Sequence, residues 1–228
     1  MSKKNYEGWE LKFFDNSKNF RLYQQQLINK YLHGHLAEVG PGNGTNLSYY
    51  IDKPNKIDLF EPSKKHYNNL KKTYRKNHKI KVFNRSFGGK TKYDTIVYLD
   101  VLEHIKKDKE EVNKALGLLK KNGKLIINVP ANSHLYSNFD KDVGHYKRYS
   151  KKDFMIILKK LSFRKVSFKY YDSIGYFLSL MSKLFITNYK KNFEKKIKFW
   201  NNLIFLSKLL DKITLNAFGK SLLVIIEK

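Results

Sequence analysis

The chain has 228 residues and no cysteine, which excludes disulfides, thiolate zinc sites and a cysteine nucleophile. Its 41% hydrophobic share with 15% aromatics suits a packed core rather than disorder, and its length gives one domain with room for an inserted cap but not for a second catalytic domain. The formal charge of +26, mostly lysine, excludes an acidic, solvating chain; it suits a polyanion or an anionic membrane, yet an AT-rich coding sequence yields the same excess with no partner at all.

Residues 1–7 carry basic side chains with no apolar stretch behind them, so no secretory signal is expected and cytoplasmic residence is the default. Asn16 or Ser17 can cap a helix in which Phe20, Tyr23, Leu27 and Tyr31 recur at three- and four-residue spacing. Residues 35–40 read as a short buried strand, followed by the turn Gly40-Pro41-Gly42-Asn43-Gly44 and a helical segment over 45–51. A second strand spans 56–61, a basic helix 63–76 and a third strand 80–83. The connection through Gly88-Gly89 is too short for an ordinary crossover helix.

Residues 93–100 place Ile96, Val97, Tyr98 and Leu99 in succession, the pattern of a central strand buried on both faces. Asp108 and Glu111 read as a capping box before Val112, Ala115, Leu116 and Leu119, with Asn122-Gly123 ending that helix and 124–129 forming a fifth strand closed by Pro130. Ser150 and Asp153 make a second capping box before Phe154, Ile157, Leu158 and Leu161. Strands follow at 166–171 and 222–227. Alternating strands and helices imply an α/β, doubly wound, mostly parallel sheet. The 47 residues between the last two strands, 172–218, are too many for a simple connection and are expected to form a helical insertion. That segment has eight Lys against Asp172, Glu194 and Asp211, with apolar residues at helical spacing, including Tyr176, Phe177, Leu180, Met181, Leu184 and Phe185. It suits a cap over an acceptor pocket, and also a peripheral membrane contact at the inner membrane face. No stretch is long enough to span a bilayer.

In such a sheet, ligands sit beyond the C-terminal strand edges near the point where strand order reverses. Glycines at 40, 42 and 44 would let the backbone approach a ligand closely, and Glu61, 21 residues past Gly40, sits where a carboxylate could accept hydrogen bonds from both ribose hydroxyls. Together they indicate an adenosine-containing cofactor without separating a dinucleotide from S-adenosylmethionine.

Glu38-Val39-Gly40-Pro41-Gly42-Asn43-Gly44 resembles motif I of class I, Rossmann-like S-adenosylmethionine-dependent methyltransferases. The run Asp94-Thr95-Ile96-Val97-Tyr98-Leu99-Asp100-Val101-Leu102-Glu103-His104-Ile105 is similar to motif IV of their small-molecule branch. Gly144-His145-Tyr146-Lys147-Arg148-Tyr149 resembles the GHYRRY segment of a subgroup often associated with glycan or lipid biosynthesis. The resemblance spans roughly residues 30–170 plus the final strand. It implies a seven-stranded sheet with the last strand antiparallel, in one domain over 1–228, and S-adenosylmethionine as cofactor with S-adenosylhomocysteine as product. It also implies that Glu38, Gly40, Gly42 and Gly44 meet the methionine end, that Glu61 and Pro62 meet the ribose, and that Asp100, Val101 and Leu102 lie near the methionine portion or the adenine. At the end of strand three the sequence departs from the family's usual acidic residue, so Ser86 and the ring of Phe87 are the expected adenine contacts.

His145 is the expected proton acceptor for a hydroxyl acceptor, with His104 next in line, because an imidazole titrates near neutrality. Tyr146, Arg148 and Tyr149 are the expected substrate contacts, Arg148 either clamping an anion or pairing with Asp140 or Asp142. His33 and His35 share one side of an extended segment without a third ligand, so no metal site is expected. The function these readings point to is methyl transfer to a small-molecule or lipid- or glycan-linked acceptor, at oxygen. Two rivals stand beside it: a nucleic-acid methyltransferase, favoured by charge but lacking a Pro-Pro-aromatic motif after strand four, and a non-catalytic S-adenosylmethionine-binding protein, disfavoured by the intact glycines and Glu61. The oligomeric state is left open.

Overall fold

The computed structural model describes residues 9–185, of Phe185 the backbone alone, and 190–228. The leading segment read above for a targeting signal lies outside the described residues. The strands are β1 (His35–Val39), β2 (Lys56–Phe60), β3 (Ile80–Phe83), β4 (Tyr93–Leu99), β5 (Leu119–Pro130), β6 (Lys165–Tyr171) and β7 (Ser221–Glu227). They form one seven-stranded sheet in the order β3-β2-β1-β4-β5-β7-β6, parallel except for β7, which runs antiparallel to β5 and β6. Strand order therefore reverses between β1 and β4, and a crevice opens at their C-terminal ends.

Alternation along the strands divides the core. Ile96 and Tyr98 face one side with Phe60, Leu125 and Ile127, under α4 (Asp108–Gly117) and α6 (Lys151–Leu158). Val97 and Leu99 face the other with Leu36, Leu59 and Ile126, under α2 (Lys18–Ile28) and α3 (Lys64–Thr73). A short α1 (Leu11–Asp15) precedes these, and α5 (Asn138–Asp142) follows β5. The insertion holds α7 (Ser173–Phe185), α8 (Phe193–Asn202) and α9 (Ile204–Ile213).

Three local expectations are corrected. The segment after the glycine turn is only a four-residue 3-10 turn, Asn46–Tyr49; Asn, Ser and aromatic residues support a long helix poorly there, and Pro54 follows closely. Helix α4 stops at Gly117 rather than at Asn122-Gly123, because the Leu118 carbonyl accepts from the Tyr93 amide and Leu119 pairs with β4. Asp108 makes no capping box: its carboxylate accepts from the Lys109 amide, the Tyr149 hydroxyl and Lys147. The second box forms as read, with Ser150 and Asp153 bonding reciprocally.

Candidate functional site

At the end of β1 the chain must turn under the tip of β4. Gly40 has φ +65°, and a Cβ there would lie 2.9 Å from a Val101 methyl, so both the conformation and the space call for glycine. Beneath the turn Glu38 is 2% exposed, and its Oε2 accepts no hydrogen bond. Burial raises its carboxyl to about 7, against the pull of the Tyr50 hydroxyl and the Arg21 guanidinium. Glu61, just past β2, accepts from the Gly42 amide at 3.0 Å and the Ser63 amide at 2.7 Å. Burial pushes this carboxyl up as well, and the two amides pull it back. A cradle of backbone turned by glycine, with a buried carboxyl below whose Oε2 accepts no hydrogen bond and a second carboxylate at its rim, fits a cationic, hydroxyl-bearing cofactor.

The tip of β4 leads to a cavity of about 650 Å³ lined by Arg21, Asp100, Glu103, His104, Pro130, Tyr136, His145 and Arg148 on the sheet side. Leu178 and Ser179 of α7 and Phe193, Ile197 and Trp200 of α8 line the opposite side. Asp100 sits in the left-handed region at φ +58° and accepts from Asn128 Nδ2 at 2.7 Å. On the cavity floor His145 Nδ1 lies 2.8 Å from Asp140 Oδ1, and the same oxygen accepts from Arg148 Nε at 2.9 Å. Burial alone would raise Asp140, but His145 and Arg148 hold it below the usual carboxylate range. The His145 Nε2 lies 3.9 Å from Glu103 Oε1, and its ring meets that of His104 edge to face at 4.7 Å. Burial, and then the proximity of His145, lowers His104 to about 3, so it is neutral.

A family model described as a methyltransferase domain matches residues 15–167. The chain belongs to this methyltransferase family. S-adenosylmethionine is the family's cofactor, and the Glu38, Gly40 and Glu61 cradle suits it. Among solved structures, an S-adenosylmethionine-dependent methyltransferase from Archaeoglobus fulgidus is similar over 98% of this chain and 100% of its own, at 16% identity and a TM-score of 0.61. Phosphoethanolamine N-methyltransferase 2 from Haemonchus contortus, in complex with S-adenosyl-L-methionine, is similar over 98% of this chain and 56% of its own, at 13% identity and a TM-score of 0.65. The N-methyltransferase NodS from Bradyrhizobium japonicum is similar over 94% of this chain and 98% of its own, at 12% identity and a TM-score of 0.57. These likenesses establish the fold, and no curated protein matches the sequence.

The methyltransferase brings the expected residues together unevenly. Glu38, Gly40, Gly42, Gly44 and Glu61 surround the β1 turn, with Val101 packed below it and Pro62 exposed at its edge. Phe87, expected at the adenine, has its ring 3% exposed and packed on Phe60 at 5.1 Å, where the short connection after β3 turns it toward the core. Ser86 is exposed, and Leu102 is buried. Tyr149, expected at the substrate, is fully buried, and its hydroxyl donates to the Leu102 carbonyl and Asp108. Tyr146 is exposed outside the cavity lining. Arg148 both lines the cavity and pairs with Asp140, one of the two partners considered for it.

Sequence reasoning missed Glu103 and the orienting role of Asp140. It also missed the aromatic cluster in which Trp9, Phe139 and Phe193 meet within 6.4 Å of one another, the last two lining the cavity. Asp140 lies five residues before His145 with no periodicity to mark it.

Proposed function

We propose that this methyltransferase transfers a methyl group to an oxygen of a small-molecule or lipid- or glycan-linked acceptor held in the 650 Å³ cavity. The observation that carries this reading is the cavity floor itself, where Asp140 fixes His145 beside His104 and Glu103 at the edge where β1 and β4 diverge. When bound, S-adenosylmethionine supplies an electrophilic methyl, the carbon–sulfur electron pair staying on sulfur as the acceptor's lone pair takes the carbon. The protein's share is alignment, exclusion of water and care of the hydroxyl proton. Lys220 at the cavity wall suits an acceptor bearing a phosphate or carboxylate. The 172–218 segment serves as a cap, a role supported by the α7 and α8 residues in the cavity lining.

Exposed apolar residues on that segment support delivery of a lipid-linked acceptor from an anionic bilayer surface. Phe177, Met181 and Leu184 on α7, and Phe205, Leu209 and Ile213 on α9, are all exposed at helical spacing. No helix among the described residues is long and apolar enough to cross a membrane.

Calorimetry with S-adenosylmethionine and S-adenosylhomocysteine, followed by methyl-label transfer to an acceptor panel, tests the reading. Binding to both with label arriving on a hydroxyl is expected, and label on nitrogen would overturn the choice of atom. His145→Ala should cut turnover by about 10²- to 10⁴-fold while cofactor affinity stays within a few-fold. Near-normal turnover in that variant would remove the floor cluster from the reaction.

A further inference from the structure

We propose that Glu103, His104 and His145 form a site for one divalent transition-metal ion, through which the cavity floor acts on the acceptor oxygen; the acceptor role rests on the function proposed above. One donor atom from each of the three lies within 4.8 Å of the others, a spread that a single ion can draw together. The ligand atoms come from two places in the chain, the turn after β4 and the loop after α5. These are tied by the Tyr146 amide donating to the Glu103 carbonyl at 2.8 Å.

The independent observation is Glu103. Its side chain is 1% exposed, neither carboxylate oxygen accepts a hydrogen bond, and the residue lines the cavity together with His104 and His145. To stand there as a carboxylate Glu103 needs a positive partner; Arg148 is already committed to Asp140, and His145 Nε2 stands 3.9 Å away, beyond hydrogen-bond reach. The histidines are prepared for ligation from behind. Asp140 engages His145 Nδ1 and leaves Nε2 turned toward Glu103. A backbone hydrogen bond with Gly144 also holds His104. Carboxylate or carbonyl support behind each ligating imidazole fixes the tautomer and the ring plane. Asp140 is in turn held by the Ser137 amide at 2.9 Å and by Arg148, so the supporting shell is itself anchored.

Two imidazoles and one carboxylate suit zinc, manganese or iron(II) better than magnesium or calcium, which prefer all-oxygen sets. Three protein donors leave coordination positions open toward the cavity, as in sites where the metal meets substrate. An acceptor hydroxyl bound there is acidified: its proton passes to water and its electron pair stays on oxygen, to form the O–CH₃ bond as the C–S bond breaks. His145 thus serves the acceptor through the ion, as a ligand by Nε2 and not as a free base. Glu103 and His104 are adjacent, but α4, β5 and α5 lie between them and His145, so local spacing does not mark the three as a set.

The test uses untagged full-length protein, stripped with chelator and titrated with CoCl₂. The expected result is a visible d–d absorption band saturating near one equivalent, together with a raised thermal midpoint. Glu103→Gln should lose both responses while its metal-free form melts no lower than the metal-free parent, because the carboxylate it replaces accepts no hydrogen bond in the fold. His104→Ala gives a second loss of the band. An absent band at millimolar CoCl₂, or a Glu103→Gln protein that responds like the parent, overturns the site. Methyl transfer that persists in chelator, with cobalt binding intact, overturns its acceptor role. Calorimetry of S-adenosylmethionine on the same metal-free protein keeps the two readings apart: lost cofactor binding with an intact band sinks the proposed function and leaves the metal site standing.

Discussion

Glu38 is a residue whose cost is visible. Burial raises its carboxyl from 4.5 to about 7, so between those values the folded chain holds a proton that the unfolded chain has released. The stability this group contributes is complete below about 4.5 and is lost as pH rises through about 7, a change on the order of 3 kcal/mol. Glu38→Gln should flatten the dependence of the thermal midpoint on pH across that window, and identical slopes in parent and variant would refute the assignment. The same carboxyl links pH to ligand: a cationic amino group arriving at Glu38 favours the ionised form and expels the proton. Cofactor affinity should therefore weaken as pH falls below about 7, which calorimetry in buffers of different ionisation enthalpy would show as proton release.

At the scale of elements, two buried carboxylates bolt the 172–218 segment to the sheet. Asp211 on α9 accepts from the Tyr23 hydroxyl of α2 at 2.7 Å, the Asp172 amide at 2.8 Å, and the Ser173 amide and hydroxyl. Asp172 accepts from Trp200 Nε1 and the Ser207 hydroxyl, both at 2.9 Å. Asp211→Ala would leave several buried donors unanswered and should cost about 2–4 kcal/mol in urea denaturation. A loss under about 0.5 kcal/mol would mean that water replaces the carboxylate freely. This polar spine was not legible beforehand, because a lone Asp in an amphipathic helix reads as a solvated charge until the fold buries it. The strands were legible, since Ile96 to Leu99 must be apolar on both faces wherever the sheet is sandwiched between helices. Motif residues such as Gly40 and Glu61 were legible for a different reason, their φ and their place at a strand end being set locally. Tyr149 and Phe87 were not, because whether an aromatic ring turns inward is decided by neighbours some 40 residues away for one and by the length of a connection for the other.

For the whole molecule, the question is what a formal charge of +26 does. Burial of Asp172 and Asp211 removes two of the three acids of the 172–218 segment from its surface, and the third, Glu194, lies 2.7 Å from Lys198. The segment therefore keeps eight lysines against one acid of its own at the surface, with Lys190 reaching Asp142 of a neighbouring helix. It also exposes Phe205, Leu209 and Ile213 on α9, which packs against α7 with its own exposed Phe177, Met181 and Leu184. Lysine near an anionic surface contributes about 1 kcal/mol each at physiological salt, and apolar insertion adds about 25 cal/mol per Å² buried, so neither term alone gives firm attachment but the two together can. Vesicles containing phosphatidylglycerol should carry the protein to the top of a flotation gradient, whereas neutral phosphatidylcholine vesicles should not. High salt should release it, since the Debye length shrinks to about 3 Å at 1 M. Phe205→Asp combined with Leu209→Asp should abolish flotation at low salt while leaving cofactor affinity unchanged, as both side chains lie outside the cavity lining. Equal flotation on neutral and anionic vesicles would assign the attachment to apolar insertion alone, and no flotation on either would leave the lysines without a membrane role and the acceptor to reach the cavity from solution.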